Sequence, residues 1–377
     1  MKPFRIEVAD STLADLQDRL SRTRFPEQLP DAEWDYGTEL EYLQELVDYW
    51  LHEYNWRASE ERMNSFDQFV TEIDGTQIHF LHVRSPEAEA LPLLLTHGWP
   101  GSFVEFLDVI GPLTDPVNHG GNANDAFHVV IPSLPGYGFS GPTRARGWHP
   151  GRVARAWKTL MKELGYERYV AQGGDWGSFV TTQVALADPE HCVGIHINMV
   201  PPIPMTEDRT PDEEACLSRM QSYNENDSGY FKEQSTKPQT VGYGLDDSPA
   251  GLAAWVIEKF RTWSDCDGDV EASFTKDQLL DNLMIYWVTA TAHSSARMYY
   301  EFDHGLKDGT IDIFTPVTVP VGYTRYPEEI MQTSERWAEM QYPLAHFADM
   351  DRGGHFAAFE VPELFVPDIR ACFAPRR

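Results

Sequence analysis

The stretch GGDWGS, Gly173 to Ser178, follows the apolar run Tyr169-Val170-Ala171 and runs into the helix-like FVTTQVALA. Small residues flank Asp175 at Gly-x-Asp-x-Gly spacing, which suits a sharp strand-to-helix turn that lifts one side chain above a sheet. Enzymes built on such a turn mostly carry serine at its apex, and a serine needs a base at its side to lose its proton. An aspartate does not. Its ordinary pKa of about 3.9 leaves it ionised near neutrality, so it can attack an electrophilic carbon directly. The adduct is an alkyl ester of the protein, which an activated water must then hydrolyse. This chemistry suits a strained ring or a carbon bearing a halide. The plain alternative makes Asp175 a helix N-cap, a common role for aspartate.

HGWPGS, His97 to Ser102, follows an earlier strand at the point where such folds place the loop that completes an oxyanion hole. The backbone N–H groups of Trp99 and Trp176 would then face the ester oxygen as charge develops on it. The water needs a base, and histidine has the suitable pKa. Of 13 histidines, His355 in DRGGHFAAFE stands between the last core strand and the final helix, where a base belongs. His79, His82 and His128 lie in strands and read as structural, and His97 reads as packing beneath its own loop. An acid should orient His355; Glu328 and Glu329, just after the strand VTVPVGYT, are both candidates. Ser178 lies on the helix beyond the apex, a poor position for a nucleophile.

Elements of alternating type must hold these residues. Residues 11–23, behind Ser11 as N-cap, and 39–54 carry amphipathic helical spacing, so residues 1–66 read as helices without strands, with a turn at Asn55-Trp56-Arg57. From Phe69 the period changes to two. FVTEI and QIHFLHV form a hairpin through Asp74-Gly75, and LPLLLTH, FHVVIPS, RYVAQGG and CVGIHINM read as strands separated by helices. This alternation predicts an α/β protein with a mostly parallel sheet and helices on both faces. It stops after Val200: residues 201–312 read as a helical insertion, and 313–377 return to the core with two short strands and a closing helix. The expected division is 1–66, 67–200, 201–312 and 313–377.

The excess of 59 acidic over 30 basic side chains, a net charge of -29, disfavours nucleic acid and anionic membrane surfaces and points to neutral small molecules. No apolar run reaches the roughly 20 residues of a membrane span, and the N-terminus lacks a signal-peptide core. Four scattered cysteines lack metal or disulfide spacing, which predicts reduced thiols and a cytoplasmic setting.

GGDWGS, HGWPGSFVEF, IPSLPGYGFSGP and RGGHFAAFEVPE together resemble the microsomal-type epoxide hydrolases of the α/β-hydrolase superfamily. The resemblance covers nearly the whole chain. FRIEV, LQDRLSRTRFP and NWRASEERMNSFDQF are similar to that family's N-terminal segment, which wraps core and lid; haloalkane dehalogenases share the aspartate but lack this extension. The resemblance implies Asp175 as nucleophile, His355 as base and Glu329 as its acid partner, with Glu329 preferred over Glu328 when Tyr326-Pro327 and Trp337 are held in register. It also implies two lid tyrosines that bind the epoxide oxygen: Tyr230 in SGYFKEQSTKPQTVG, and Tyr299, rather than Tyr300, in SSARMYYEF. The implied partners are a small apolar epoxide and water, with no metal or organic cofactor. Mammalian relatives carry a membrane anchor ahead of the wrapping segment and this chain shows none, so a soluble enzyme is expected; a homodimer is compatible with the sequence. A haloalkane dehalogenase, using the Trp176 indole to hold halide, is the rival reading. A ligand-binding relative without turnover is the other, and nothing in the sequence favours it.

Overall fold

The computed structural model describes residues 1–377. Nine strands build one sheet: β1 (Lys2–Phe4), β2 (Gln68–Ile73), β3 (Thr76–Val83), β4 (Leu91–Thr96), β5 (Phe127–Pro132), β6 (Tyr169–Gly173), β7 (Cys192–Ile197), β8 (Val321–Arg325) and β9 (Leu344–Asp349). Their order is β1-β2-β3-β5-β4-β6-β7-β8-β9. Pairing is antiparallel from β1 to β5 and parallel from β5 across to β9. Central strands buried on both faces need near-continuous apolar sequence. All five residues of β6 are buried, and β4 is buried at all but Pro92.

Helices Pro150–Glu163 and Trp176–Ala187 flank β6 in sequence. The first begins with Pro150 at its first turn, where the missing N–H costs no hydrogen bond. Between β7 and β8 the chain forms helices only, including Pro211–Asn226, Gly229–Thr236, Pro249–Trp263, Lys276–Thr289 and Arg297–Asp308. We call this helical insertion the lid.

The N-terminal region is tied to the lid by polar contacts across long sequence separations. Thr38 Oγ1 donates to the Ala254 carbonyl at 2.7 Å, Tyr49 to Asp277 at 2.8 Å and Tyr54 to Asp281 at 2.7 Å. No helix is long and apolar enough to cross a membrane.

Three local expectations are corrected. Lys2–Phe4 adds an edge strand to β2, too short to leave a period in the sequence. Ser11 lies inside helix Asp10–Ser21, whose N-cap is Ala9. The turn expected at Asn55 opens helix Trp56–Met63 instead, because the Asn55 side chain accepts from the amides of Arg57 and Ala58.

Candidate active site

Asp175 stands between β6 and helix Trp176–Ala187 with φ 50° and ψ -128°, a conformation that costs a non-glycine residue strain. Its neighbours explain how the turn closes. A Cβ on Gly173 would lie 2.1 Å from the Gly177 carbonyl oxygen, and one on Gly177 would lie 1.9 Å from that of Thr96. Asp175 occupies the N-cap position but its side chain caps nothing. Oδ1 accepts the Trp99 amide at 2.7 Å instead, and a Cβ on Gly98 would lie 2.1 Å from that oxygen. The Trp176 backbone N–H, expected as the second donor, makes no hydrogen bond to this carboxylate.

The lid braces the Trp99 loop. Asn282, on helix Lys276–Thr289, donates to the Pro100 carbonyl at 2.8 Å and accepts from Ser102 at 2.8 Å, while Tyr286 donates to the Gly101 carbonyl at 2.6 Å. His97 packs beneath the loop. Nδ1 bonds the Gly98 carbonyl at 2.9 Å and Nε2 accepts the Leu134 amide at 3.1 Å. Burial pulls its pKa down to about 4, which keeps the ring neutral in this arrangement.

His355 Nε2 lies 3.3 Å from Asp175 Oδ2, and Nδ1 lies 2.7 Å from Glu329 Oε1. The first contact pairs charge without forming a directed hydrogen bond; the second is a hydrogen bond. Burial disfavours the imidazolium, but the charges of Glu329 and Asp175 outweigh it and hold His355 well above its ordinary pKa. Of the two acid candidates, Glu329 is fully buried. Glu328 faces outward, its side chain 45% exposed and 3.4 Å from Arg219.

The lid also holds the His355 loop. Trp263 O accepts the His355 amide at 2.9 Å, and a Cβ on Gly354 would lie 2.5 Å from the same oxygen. Glu360 accepts the amides of Asp265 and Phe356, joining the two segments from the other side.

Tyr230 and Tyr299 meet edge to face at 5.7 Å, and Tyr230 stacks on Trp99 at 4.9 Å. Burial raises both phenols well above their ordinary pKa, so both carry their protons near neutrality. Tyr299 Oη has no protein partner; Tyr230 Oη shares a 2.8 Å hydrogen bond with Tyr223. Tyr300 stacks on His304 and bounds no part of the apolar cavity beside Asp175. Ser178 donates to the Gly173 carbonyl at 2.8 Å, a structural use of its hydroxyl.

Asp175, Tyr230 and Tyr299 bound a cavity of about 240 Å³ whose other walls are almost wholly apolar, among them Phe179, Met199, Phe231 and Phe302. A groove of about 1350 Å³ on the lid side shares Tyr223, Tyr230 and Ile330 with it. The structure thus brings together Asp175, His355, Glu329, Tyr230, Tyr299 and the Trp99 amide.

Sequence reasoning missed several supports. Tyr223 and Asn282 sit on lid helices with no pattern that marks them. Lys259 is buried, pairs with Asp227 at 2.5 Å and lies 5.0 Å from the Tyr230 ring centroid. Glu105 lies inside the quoted HGWPGSFVEF, where its burial, not its spacing, is the informative property.

Comparison with known proteins agrees with this geometry. The family described as "Epoxide hydrolase N terminus" matches residues 1–106, and "alpha/beta hydrolase fold" matches residues 92–249. Epoxide hydrolase 1 of Sus scrofa is 39% identical over 399 residues, covering 98% of this chain and 88% of that protein. The crystal structure of juvenile hormone epoxide hydrolase from Bombyx mori superposes with a TM-score of 0.91 at 34% identity, covering 99% of this chain and 94% of that one. The Aspergillus niger epoxide hydrolase gives 0.87 at 32%, covering 99% and 96%. Matched along its whole length by enzymes of one kind, the chain belongs to the epoxide hydrolase family of the α/β-hydrolase fold.

Proposed function

We propose that this enzyme converts a small apolar oxirane to a vicinal diol in two half-reactions, with Asp175 as nucleophile, His355 as base and Glu329 as its acid partner. The observation that carries the reading is the position of one carboxylate, Asp175, at the floor of an apolar cavity with two protonated tyrosines beside it and His355 behind it. Residues 1–66 act as a wrapping segment, 201–312 as the lid, and 67–200 with 313–377 as the core.

In the first half-reaction an Asp175 oxygen bonds to one oxirane carbon as that carbon's bond to the ring oxygen breaks. Tyr230 and Tyr299 donate hydrogen bonds to the oxygen as it takes up charge and then a proton. The ester no longer carries the charge that helped to hold His355 protonated, so its pKa falls and the proton it sheds balances the one the oxygen gained.

In the second half-reaction His355, now a free base oriented by Glu329, takes a proton from water as the hydroxyl adds to the ester carbonyl. The Trp99 amide faces the oxyanion, and the Trp176 amide is the second donor once the ester has formed. One proton of the water ends on the departing diol oxygen and the other on His355, which restores the starting state. The names of the relatives, all epoxide hydrolases, support the substrate class. Four buried free cysteines support a reducing, cytoplasmic setting.

Successive single turnovers in heavy-oxygen water test this reading. The label is expected in the Asp175 carboxylate after the first turnover and in the diol only from the second. Label in the first-turnover diol, with none in the protein, would contradict it.

A further inference from the structure

Asp175 borders two cavities of opposite character. Beside the apolar one lies a second of about 20 Å³, bounded by Asp175, His355, Glu105, Gln172, Asn198 and Trp99 among others. A water needs roughly 10–15 Å³ and two to four polar partners, and this space supplies both. Gln172 Oε1 and His355 Nε2 are buried without a hydrogen-bond partner. Glu105 is 9% exposed, and its carboxyl has the Ser102 backbone amide as a partner and no side chain, which leaves it acceptor capacity toward this space. Buried polar groups are rarely left so, and when several converge on one small space a bridging water satisfies them together.

We infer that Glu105, with Gln172, seats the water that His355 deprotonates, so that epoxide and water reach opposite sides of Asp175 from separate cavities. The inference rests on the two-step reading above. It gives the chain a second, water-binding subsite, and it gives Glu105 a role in ester hydrolysis alone.

The charge around the site supports this assignment. Burial pushes the Glu105 carboxyl up to about 8, Asp175 adds to the rise and His355 opposes it. Glu360, half-buried, adds to it as well. A neutral carboxyl at pH 7 both donates and accepts, which orients a water without competing with His355 for its proton. Gly101 is kept free of a side chain here, because a Cβ there would lie 1.4 Å from Glu105 Oε1.

The test is rapid-quench single turnover of Glu105→Leu and Glu105→Gln with an aryl oxirane, following ester formation and ester hydrolysis separately. Ester formation in Glu105→Leu is expected within about threefold of the unaltered enzyme. Its hydrolysis is expected to slow by about 30-fold, less than the loss of an oxyanion donor costs, so that ester accumulates. Glu105→Gln keeps a donor and an acceptor in place and is expected to recover hydrolysis to within about fivefold, in line with a hydrogen-bonding rather than a proton-transfer role. If Glu105→Leu does not fold, Gly101→Ala takes its place, since its methyl displaces the carboxyl, and the same selective slowing is expected. Normal hydrolysis in these variants, an equal fall in both half-reactions, or no recovery in Glu105→Gln overturns the inference alone. Failure to trap an ester in any form overturns the two-step reading and the inference with it.

Discussion

A carboxylate proposed to attack carbon has to be held without being consumed by its own helix. At Asp175 the backbone takes the N-cap position while the side chain is directed to the Trp99 amide, and the strained φ of 50° is the cost of that separation. The placement of this residue was legible because glycine spacing and residue type are both written in sequence. The glutamate that pairs with His355 was legible only through the family's register. Adjacent glutamates look alike until the chain turns after β8: Glu329 bonds its amide to the Tyr326 carbonyl and points to His355, whereas Glu328 points to Arg219. Glu329→Gln is therefore expected to lower kcat by about 10²-fold or more, as loss of an orienting acid does, and Glu328→Gln to stay within about twofold, as surface changes do. Steady-state hydrolysis of one aryl oxirane by both variants checks this.

Elements carry these side chains, and their legibility followed burial. β4 and β6 were clear because strands enclosed on both faces must be apolar throughout. β1 and helix Trp56–Met63 were not, since one gains its structure by pairing with β2 and the other by a side-chain cap. Polar ties between elements were also invisible. Asp368, on helix Pro362–Phe373, accepts from His196 of β7 at 3.1 Å and His346 of β9 at 2.6 Å, and from Thr324 of β8 at 2.5 Å. Burial opposes its charge, but the bonds from His196 and His346 hold its carboxyl below the ordinary 3.8. A depressed acid stabilises the fold fully above its unfolded pKa and loses that contribution as pH falls toward the folded one. Asp368→Asn is expected to cost about 3 kcal/mol near neutrality. The gap to the unaltered protein should narrow as pH falls below about 4. Urea unfolding across pH measures it, and a gap that is absent or widens under acid would contradict the assignment.

Over the whole molecule, the lid performs three tasks that no single motif announces. It brings Tyr230 and Tyr299 over Asp175, clamps the Trp99 loop through Asn282 and Tyr286, and holds the His355 amide through Trp263. The N-terminal region in turn grips the lid through Thr38, Tyr49 and Tyr54. From sequence, the lid was visible only as an interruption of strand-helix alternation, and its tyrosines only through resemblance to a family, because 16 tyrosines offer no internal basis for choosing two. All of this structure converges on one bond. The direct measurement is peptide mass spectrometry of His355→Gln quenched in acid after mixing with an epoxide. The peptide containing Asp175 is expected to gain the mass of one whole epoxide molecule, localised to that residue; an unmodified Asp175 under conditions where the epoxide is consumed would contradict the account.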